Sequence, residues 1–415
     1  MALTDFKDFL PVLSFRKIIL SKAKESFVWD LNGKKYLDIN SGQFCSVFGH
    51  SNNEVEKVIK KISKTIQHSG TITLSKSIIE AANLIKSTFP EMKPRTIFLA
   101  TGSEAMECCL RYAKHLKEKP GIMSFKIGYH GLTHGTAAYS MSRDKIRPTI
   151  RYSYKINVPN WKSPENSNKK IYAKELIKFK KDLKKNKKNI AAVVIEPIIS
   201  GGGFYFPPKN FLRSIQKICI ENKVFLVFDE CQTGFGRTGD WFYSKKLGIV
   251  PDFIVGGKSV GLGFPVACVM ANGNTIKNKK FILEHFSSHQ NEPFAGELVK
   301  CLILGIKKYR LLKKNIKTGE IFLSGLKKLS LKFPEITNPR GIGLMLAFDL
   351  KQPKYKNSKD YGEEFCKNAL DFNLMLQHCN YGKTIRLLPN YFVNNKEINF
   401  FFKKMNSLLE FRKVN

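Results

Sequence analysis

Two residues at the ends of short apolar runs give the chain its candidate chemistry. Val224 to Phe228 is an apolar run of Val, Phe and Leu that stops at Asp229 and Glu230, and Phe253 to Val255 stops just before Gly256, Gly257 and Lys258. Short apolar runs rich in β-branched and aromatic residues read as buried parallel strands. Open α/β sheets bind ligands beyond the carboxyl ends of their strands, so an acid and an amine at two such ends can face one ligand. Pyridoxal phosphate (PLP) chemistry is among those that pair the two: a lysine amine forms a Schiff base, and a carboxylate keeps the ring nitrogen protonated. A lone lysine at a strand end is ordinarily a solvated surface residue, and Asp229 alone would read as a strand-end cap.

The surrounding string fixes many more positions. DECQTGFGRTG, Asp229 to Gly239, followed by PDFIVGGKSVGLGFP, Pro251 to Pro265, resembles the signature of the class III, PLP-dependent aminotransferases. The resemblance runs from about Leu13 to Leu409. It implies fold type I: a large α/β domain with a central, mostly parallel sheet, flanked by a smaller α+β domain built from both chain ends, in a homodimer with active sites at the interface. Residues 1–50 and 312–415 would form the small domain and 51–311 the large one. In the mechanism so implied, a substrate amine displaces Lys258 from the pyridoxal 5'-phosphate, and the freed amine shuttles a proton as base and acid. Asp229 keeps the ring an electron sink and Gln232 hydrogen-bonds its hydroxyl. An amino group would pass from an amino acid or amine donor to a keto or aldehyde acceptor.

Composition sets the outer bounds. With 415 residues, 43% of them hydrophobic, the chain can bury the core of one large domain and a smaller one. Its 9 cysteines form no CxxC pair, so reduced thiols in the cytoplasm are expected, and no metal-ligand spacing appears. Met1 to Leu20 lacks the apolar core of a signal peptide, and no later run approaches a membrane span. The formal charge of +36 would suit nucleic acid or an anionic membrane. Its lysines are nevertheless dispersed, no nucleic-acid motif accompanies them, and the densest run, Lys178 to Lys188, falls on the solvated face of an expected helix. Neither partner is expected.

In chain order, Phe27 to Leu31 and Lys35 to Ile39 flank Asn32-Gly33, a two-residue hairpin signal. Ser51 to Glu54 has capping-box spacing ahead of an amphipathic helix carrying Val55, Val58, Ile59, Ile62 and Ile66. The loop before that helix then reaches the site, with Gln43 a candidate substrate contact. Thr96 to Ala100 reads as a strand that turns through Gly102 and Ser103 into a helix, whose free amides and positive dipole end suit a phosphate. The family's phosphate cup lies in the matching segment. Met123 to Phe125 is the next strand, and Tyr129 beyond it would stack on a flat ring, as the family aromatic at that position does, with His130 an orienting or core histidine. Val158 to Lys170 turns polar and reads as a surface excursion before the strand Ala191 to Ile195.

Substrate and partner contacts rest on the resemblance. FSSHQNEPFAG, Phe286 to Gly296, resembles the segment that reaches across the dimer to the partner's cofactor phosphate, with Ser288 in place of the usual threonine. TIRLLPNYFVNNKEI, Thr384 to Ile398, resembles the closing motif in which an arginine, here Arg386, binds a substrate carboxylate. Many ω-amino acid members carry a glutamate where Gly201 stands, so the dual-substrate device of those enzymes is not expected unless another acid such as Glu292 fills in. The SGQ of Ser41 to Gln43 and the SHQNEP run also resemble the dialkylglycine decarboxylase branch, which keeps a decarboxylase as the alternative. An aminomutase fits the residues after Asp229-Glu230 less well.

Overall fold

The computed structural model describes residues 9–10, 16, 18–141, 150–158, 169–276, 283–352 and 357–414. Most of Met1 to Leu20 and of the Val158 to Lys170 excursion therefore lies outside the described residues. Three short strands come first: β1 (Leu20–Lys24), β2 (Phe27–Asp30) and β3 (Lys35–Asp38), with β2 and β3 joined in the expected hairpin, although its loop has three residues, Leu31 to Gly33, because the Asp30 amide donates to the Lys34 carbonyl. The seven strands that follow are β4 (Arg95–Leu99), β5 (Gly121–Phe125), β6 (Ser153–Ile156), β7 (Ile190–Ile195), β8 (Phe225–Asp229), β9 (Phe253–Gly256) and β10 (Ala267–Ala271). They form one sheet in the order β4-β10-β9-β8-β7-β5-β6. Strand β10 runs antiparallel to both of its neighbours, while β9, β8, β7, β5 and β6 are mutually parallel.

The central strands are buried along their whole length, because helices cover both faces of the sheet. Alternate residues feed two cores: Leu226, Phe228 and Ile254 enter one, Phe225, Val227, Phe253 and Val255 the other. Ala105, Met106, Cys109 and Ala113 of the helix Gly102–Lys117 pack on the second face. This helix follows β4 directly, so its N-terminus sits at the carboxyl edge of the sheet.

The chain ends supply β11 (Ile336–Ile342), β12 (Met345–Leu350), β13 (Leu374–Met375), β14 (Gln377–Cys379) and β15 (Thr384–Leu387). Strands β11, β12, β15 and β14 form one small sheet, whereas β13 leaves that group and pairs in parallel with β3. Further helices run over Lys76–Thr88, Leu311–Lys332 and Ser358–Asp371. One expectation needs correcting: the helix Asn53–Ile62 is capped by Asn52, which accepts from the Glu54 amide, and not by Ser51. Ser51 stands in the left-handed region at φ 48° and donates its hydroxyl to the Ala23 carbonyl, so it is unavailable as a cap. Ile66 lies beyond that helix and is 58% exposed.

Candidate active site

Asp229 closes β8 and is Cα partner to Val255 on β9, after which Gly256 and Gly257 lead to Lys258. Neighbouring strands lie about 4.8 Å apart, so this register brings acid and amine to one edge. The two glycines allow the turn to pack. A Cβ on Gly256 would stand 2.7 Å from the Phe235 ring, and one on Gly257 3.0 Å from Cys231 Sγ. Lys258 then opens a short 3-10 turn with φ 48°, an uncommon conformation for a side-chain-bearing residue.

Asp229 is buried, held by one hydrogen bond at each oxygen, and still lines the cavity. His130 Nδ1 lies 2.8 Å from its Oδ2, and the Cys231 amide donates to its Oδ1 at 3.1 Å. Burial alone would raise this carboxyl, but the His130 hydrogen bond and charge, Lys258 and the Cys231 contact outweigh it and hold Asp229 below the ordinary value. An ionised Asp229 needs a donor, so Nδ1 is the protonated nitrogen of His130. The loop carrying that histidine is pinned as well: the His130 amide donates to Ser140 Oγ at 2.8 Å, and that hydroxyl donates to the Gly131 carbonyl at 2.7 Å.

A second chain of bonds fixes Gln232. The Ser200 hydroxyl donates to Gln232 Oε1 at 2.6 Å, so the side chain keeps its NH₂ to offer to the cavity. The Ser200 amide in turn donates to Glu196 Oε2 at 3.2 Å, and the Tyr129 amide to Glu196 Oε1 at 2.7 Å. Burial pushes Glu196 up to about 7, against the charge of His130 and those two amides. Glu196 therefore positions both the stacking loop and Gln232 without lining the cavity itself.

The cavity, about 440 Å³, brings together Gly102, Ser103, Tyr129, Asp229, Gln232, Lys258, Gln43 and Arg386, with Gly201 at its wall. Its size is ordinary for a cofactor site. Thr101 caps the Gly102–Lys117 helix by accepting from the Glu104 amide at 3.2 Å, which leaves the Gly102 and Ser103 amides at the helix mouth without intrahelical acceptors. Gly131, at φ 106°, approaches so closely that a Cβ there would fall 2.5 Å from Ser103 Oγ. Tyr129 lines the cavity and is 37% exposed.

Arg386, on β15, meets no carboxylate among the described residues. Its Nη2 donates to Gln377 Oε1 at 3.2 Å, its guanidinium carbon stands 4.5 Å from the centroid of the Phe44 ring, and its Nε is buried without a hydrogen-bond partner. Glu292 does not fill in for the missing glutamate, because it is held elsewhere by His68 at 2.9 Å. Ser288 is not brought to this cavity by its own chain. It is exposed, and its carbonyl accepts from His68 Nε2 at 2.7 Å. Phe44, Gln377, Ser200, Cys379 and Asn380 also shape the site without having been singled out above. Only Phe44, directly after the SGQ of Ser41 to Gln43, and Ser200, directly before Gly201, carried a signal that local sequence can give.

This edge-of-sheet site belongs to a known class of enzymes. Residues 13–409 match the family model described as aminotransferase class-III, and the chain belongs to that family. An uncharacterized aminotransferase of Schizosaccharomyces pombe is 30% identical over 414 residues, with 96% of this chain and 91% of that one covered. An acetylornithine aminotransferase of Methanosarcina mazei is 28% identical over 402 residues, covering 95% and 92%. Among solved structures, a transaminase from the marine bacterium Virgibacillus has a TM-score of 0.90 at 22% identity, covering 98% of each chain. The fold is thus fold type I, and the protein is a transaminase that works with pyridoxal 5'-phosphate. The residues present fit that group: a lysine amine, a buried carboxylate held ionised, a free amide NH₂ and a helix mouth with open amides line one cavity.

Proposed function

We propose that Lys258 is the residue that holds the cofactor and moves the substrate proton at its Nζ, and that at least one substrate offers a carboxylate or comparable anion to Arg386. The observation that carries this reading is the convergence of Lys258, the His130-held Asp229 and an Arg386 without an acidic partner on one cavity. Pyridoxal 5'-phosphate supplies, when bound, an aldehyde that exchanges amines and a ring that draws electrons from a breaking C–H bond. Asp229 would hold a proton at the ring nitrogen, with His130 keeping the carboxylate ionised and aimed. Gln232 would donate its NH₂ to the ring hydroxyl, Tyr129 would cover one ring face, and the Gly102 and Ser103 amides would bind phosphate at the helix mouth. Gln43, exposed on the bend Ser41–Phe44, would touch substrate from the small-domain side.

The arginine sets the substrate class. A desolvated guanidinium with an unpartnered Nε is suited to a carboxylate that takes two parallel bonds. With Gly201 in the wall and Glu292 engaged by His68, neither residue can neutralise Arg386 during an uncharged half-reaction. The relatives named above are aminotransferases, and transamination is the reaction assigned here; carbon dioxide release from a dialkylated amino acid would instead mark the decarboxylase branch.

The proposal includes a homodimer in the cytoplasm, with residues 1–50 and 312–415 as the small domain and 51–311 as the large one. Ile66, Ile72, Leu74 and Phe286 are 58%, 87%, 58% and 73% exposed. Their two segments are tied by Gln290 Nε2 to the Thr71 carbonyl and by His68 to the Ser288 carbonyl. An exposed apolar face of this kind supports an interface, and Ser288 within it is placed to serve a partner's phosphate site. All 9 cysteines are free, as expected in a reducing compartment, and no helix among the described residues is long and apolar enough to cross a membrane.

The test is chemical. Borohydride reduction of the loaded enzyme, followed by peptide mass spectrometry, should place the cofactor on Lys258, and Lys258→Ala should bind it only reversibly and turn nothing over. An adduct on another lysine would refute the assignment.

A further inference from the structure

Behind the cavity, Gln377 joins Arg386 to the bend that carries Gln43 and Phe44. Gln377 on β14 and Arg386 on β15 are Cα partners, and residues directly opposite in an antiparallel pair share one face of the sheet. Arg386 Nη2 donates to Gln377 Oε1 at 3.2 Å, and Gln377 Nε2 donates to the Gly42 carbonyl at 3.2 Å. A guanidinium only donates and a carbonyl only accepts, so a carboxamide can stand between them with both ends matched. The bend itself is held at several points. Asp38, 3% exposed, accepts from the Asn40 amide at 3.0 Å and the Gly42 amide at 2.5 Å, and His50 Nε2 lies 2.9 Å from its Oδ2. Ser41 Oγ donates at 2.9 Å to the carbonyl of Leu388, two residues beyond Arg386. Gly42 stands at φ 68°, where a side chain would be strained, and Phe44 of the same bend lies against the guanidinium. One element therefore aims Arg386 twice, through the Phe44 ring and through Gln377, and brings no charge to it.

We propose that Gln377 is a positioning residue that sets substrate class: as a neutral amide it aims Arg386 at the carboxylate of a substrate, and an acid at this one position would shut the arginine to anions. The inference rests on the reading of Arg386 as the anion-binding residue. Gln377 does not line the cavity, so it acts through Arg386 and not on the substrate. A carboxylate at 377 would pair with the guanidinium through a charge-assisted bond about twice as strong as the amide's. A substrate carboxylate would then have to displace an internal one of equal charge. The same change would set an oxygen against the Gly42 carbonyl, where the amide now donates. Neither Glu196, which accepts from the Tyr129 and Ser200 amides, nor Glu292, held by His68, competes for the role.

The experiment follows single half-reactions of the PLP-loaded enzyme by cofactor absorbance, with an amino acid donor and with an amine of equal length lacking the carboxylate. Gln377→Met keeps the length and drops both bonds, and should raise the half-saturating concentration of the amino acid roughly 3- to 10-fold. Gln377→Glu adds the neutralising charge and should raise it at least about 30-fold. The half-saturating concentration of the amine should stay within about twofold of the parent in both variants. Should Gln377→Glu fail to fold, Gln377→Met alone decides by the difference between the two donors. Equal changes for both donors, or a rise for Gln377→Glu no larger than for Gln377→Met, overturns the proposal. Arg386→Lys, measured beside them, separates the two readings. If it weakens the amino acid while the Gln377 variants do not, the role of Gln377 alone is refuted; if it leaves the amino acid unchanged, the anion-binding role of Arg386 fails and the proposal with it.

Discussion

Replacing Arg386 by lysine keeps the charge and removes the fork, which makes it the sharpest probe of substrate class. A guanidinium has five N–H donors, and here Nη2 is committed to Gln377 while Nε stays buried without a partner. A carboxylate that takes two of the remaining donors makes two charge-assisted bonds, each contributing about 1.5–3 kcal/mol. A lysine ammonium is a point charge that cannot reproduce the parallel pair, so Arg386→Lys forfeits about one such bond. That loss corresponds to a KM raised roughly 10- to 100-fold for the anionic substrate. Lysine also gives up the flat contact of the guanidinium over Phe44, 4.5 Å away in the parent. The assay compares steady-state kinetics on an amino acid donor with those on an amine of equal length lacking the carboxylate, with cofactor content checked by absorbance. KM should rise for the first and hold for the second. Equal changes for both, or efficient turnover of uncharged amines and aldehydes unaffected by the substitution, would make Arg386 a structural residue and refute the argument.

Three further outcomes are expected. Asp229→Asn should bind cofactor yet lose about 10²-fold or more in kcat, as a missing preorganised charge does; near-normal turnover would remove Asp229 from the site. Mixing inactive Lys258→Ala chains with impaired Ser288→Ala chains should restore activity in heterodimers that draw each residue from a different chain, and a monomer by light scattering would end that idea. Because burial raises Glu196 from 4.5 to about 7, the folded protein binds its proton more tightly than the unfolded chain does. Its stabilising contribution is therefore complete below the unfolded value and is lost as pH rises through about 7, a cost of at most about 3.4 kcal/mol. Glu196→Gln should flatten the fall in melting temperature between about pH 5 and about pH 8, and identical slopes for parent and variant would contradict this.

Local pattern was enough to find the strands that lead to Asp229 and to Lys258, because a fully buried parallel strand writes its burial into a continuous apolar run. The helix mouth at Gly102 was legible for a similar reason: strand, glycine-containing turn and helix follow one another directly. What local pattern could not show was pairing across the chain. His130 bonds Asp229 from 99 residues away, and the Ser200–Gln232 bond needs β7 and β8 to be neighbours first. The surroundings of Arg386 were hidden for the same cause, since Phe44 and Gln377 reach it from different parts of the chain. The misplaced helix cap is a different failure. Serine and asparagine both cap well, and only the left-handed backbone at Ser51 passes the role to Asn52.

The pairing of β13 with β3 has a consequence for synthesis. Leu374 and Leu37 are Cα partners, and Asn40 Nδ2 donates to the Met375 carbonyl across 335 residues of sequence. A ribosome would have released nearly the whole polypeptide before the N-terminal hairpin found the strand that completes its sheet. Until then, β3 presents an unpaired edge of the kind that templates association with other chains. Gln43 and Phe44 follow β3, and Arg386 lies beyond β13, so the substrate end of the cavity is also the last part that a nascent chain can assemble. Vectorial folding would thus build the cofactor cradle first, and a truncated translation product would present a lysine and an acid with no arginine to select what reaches them.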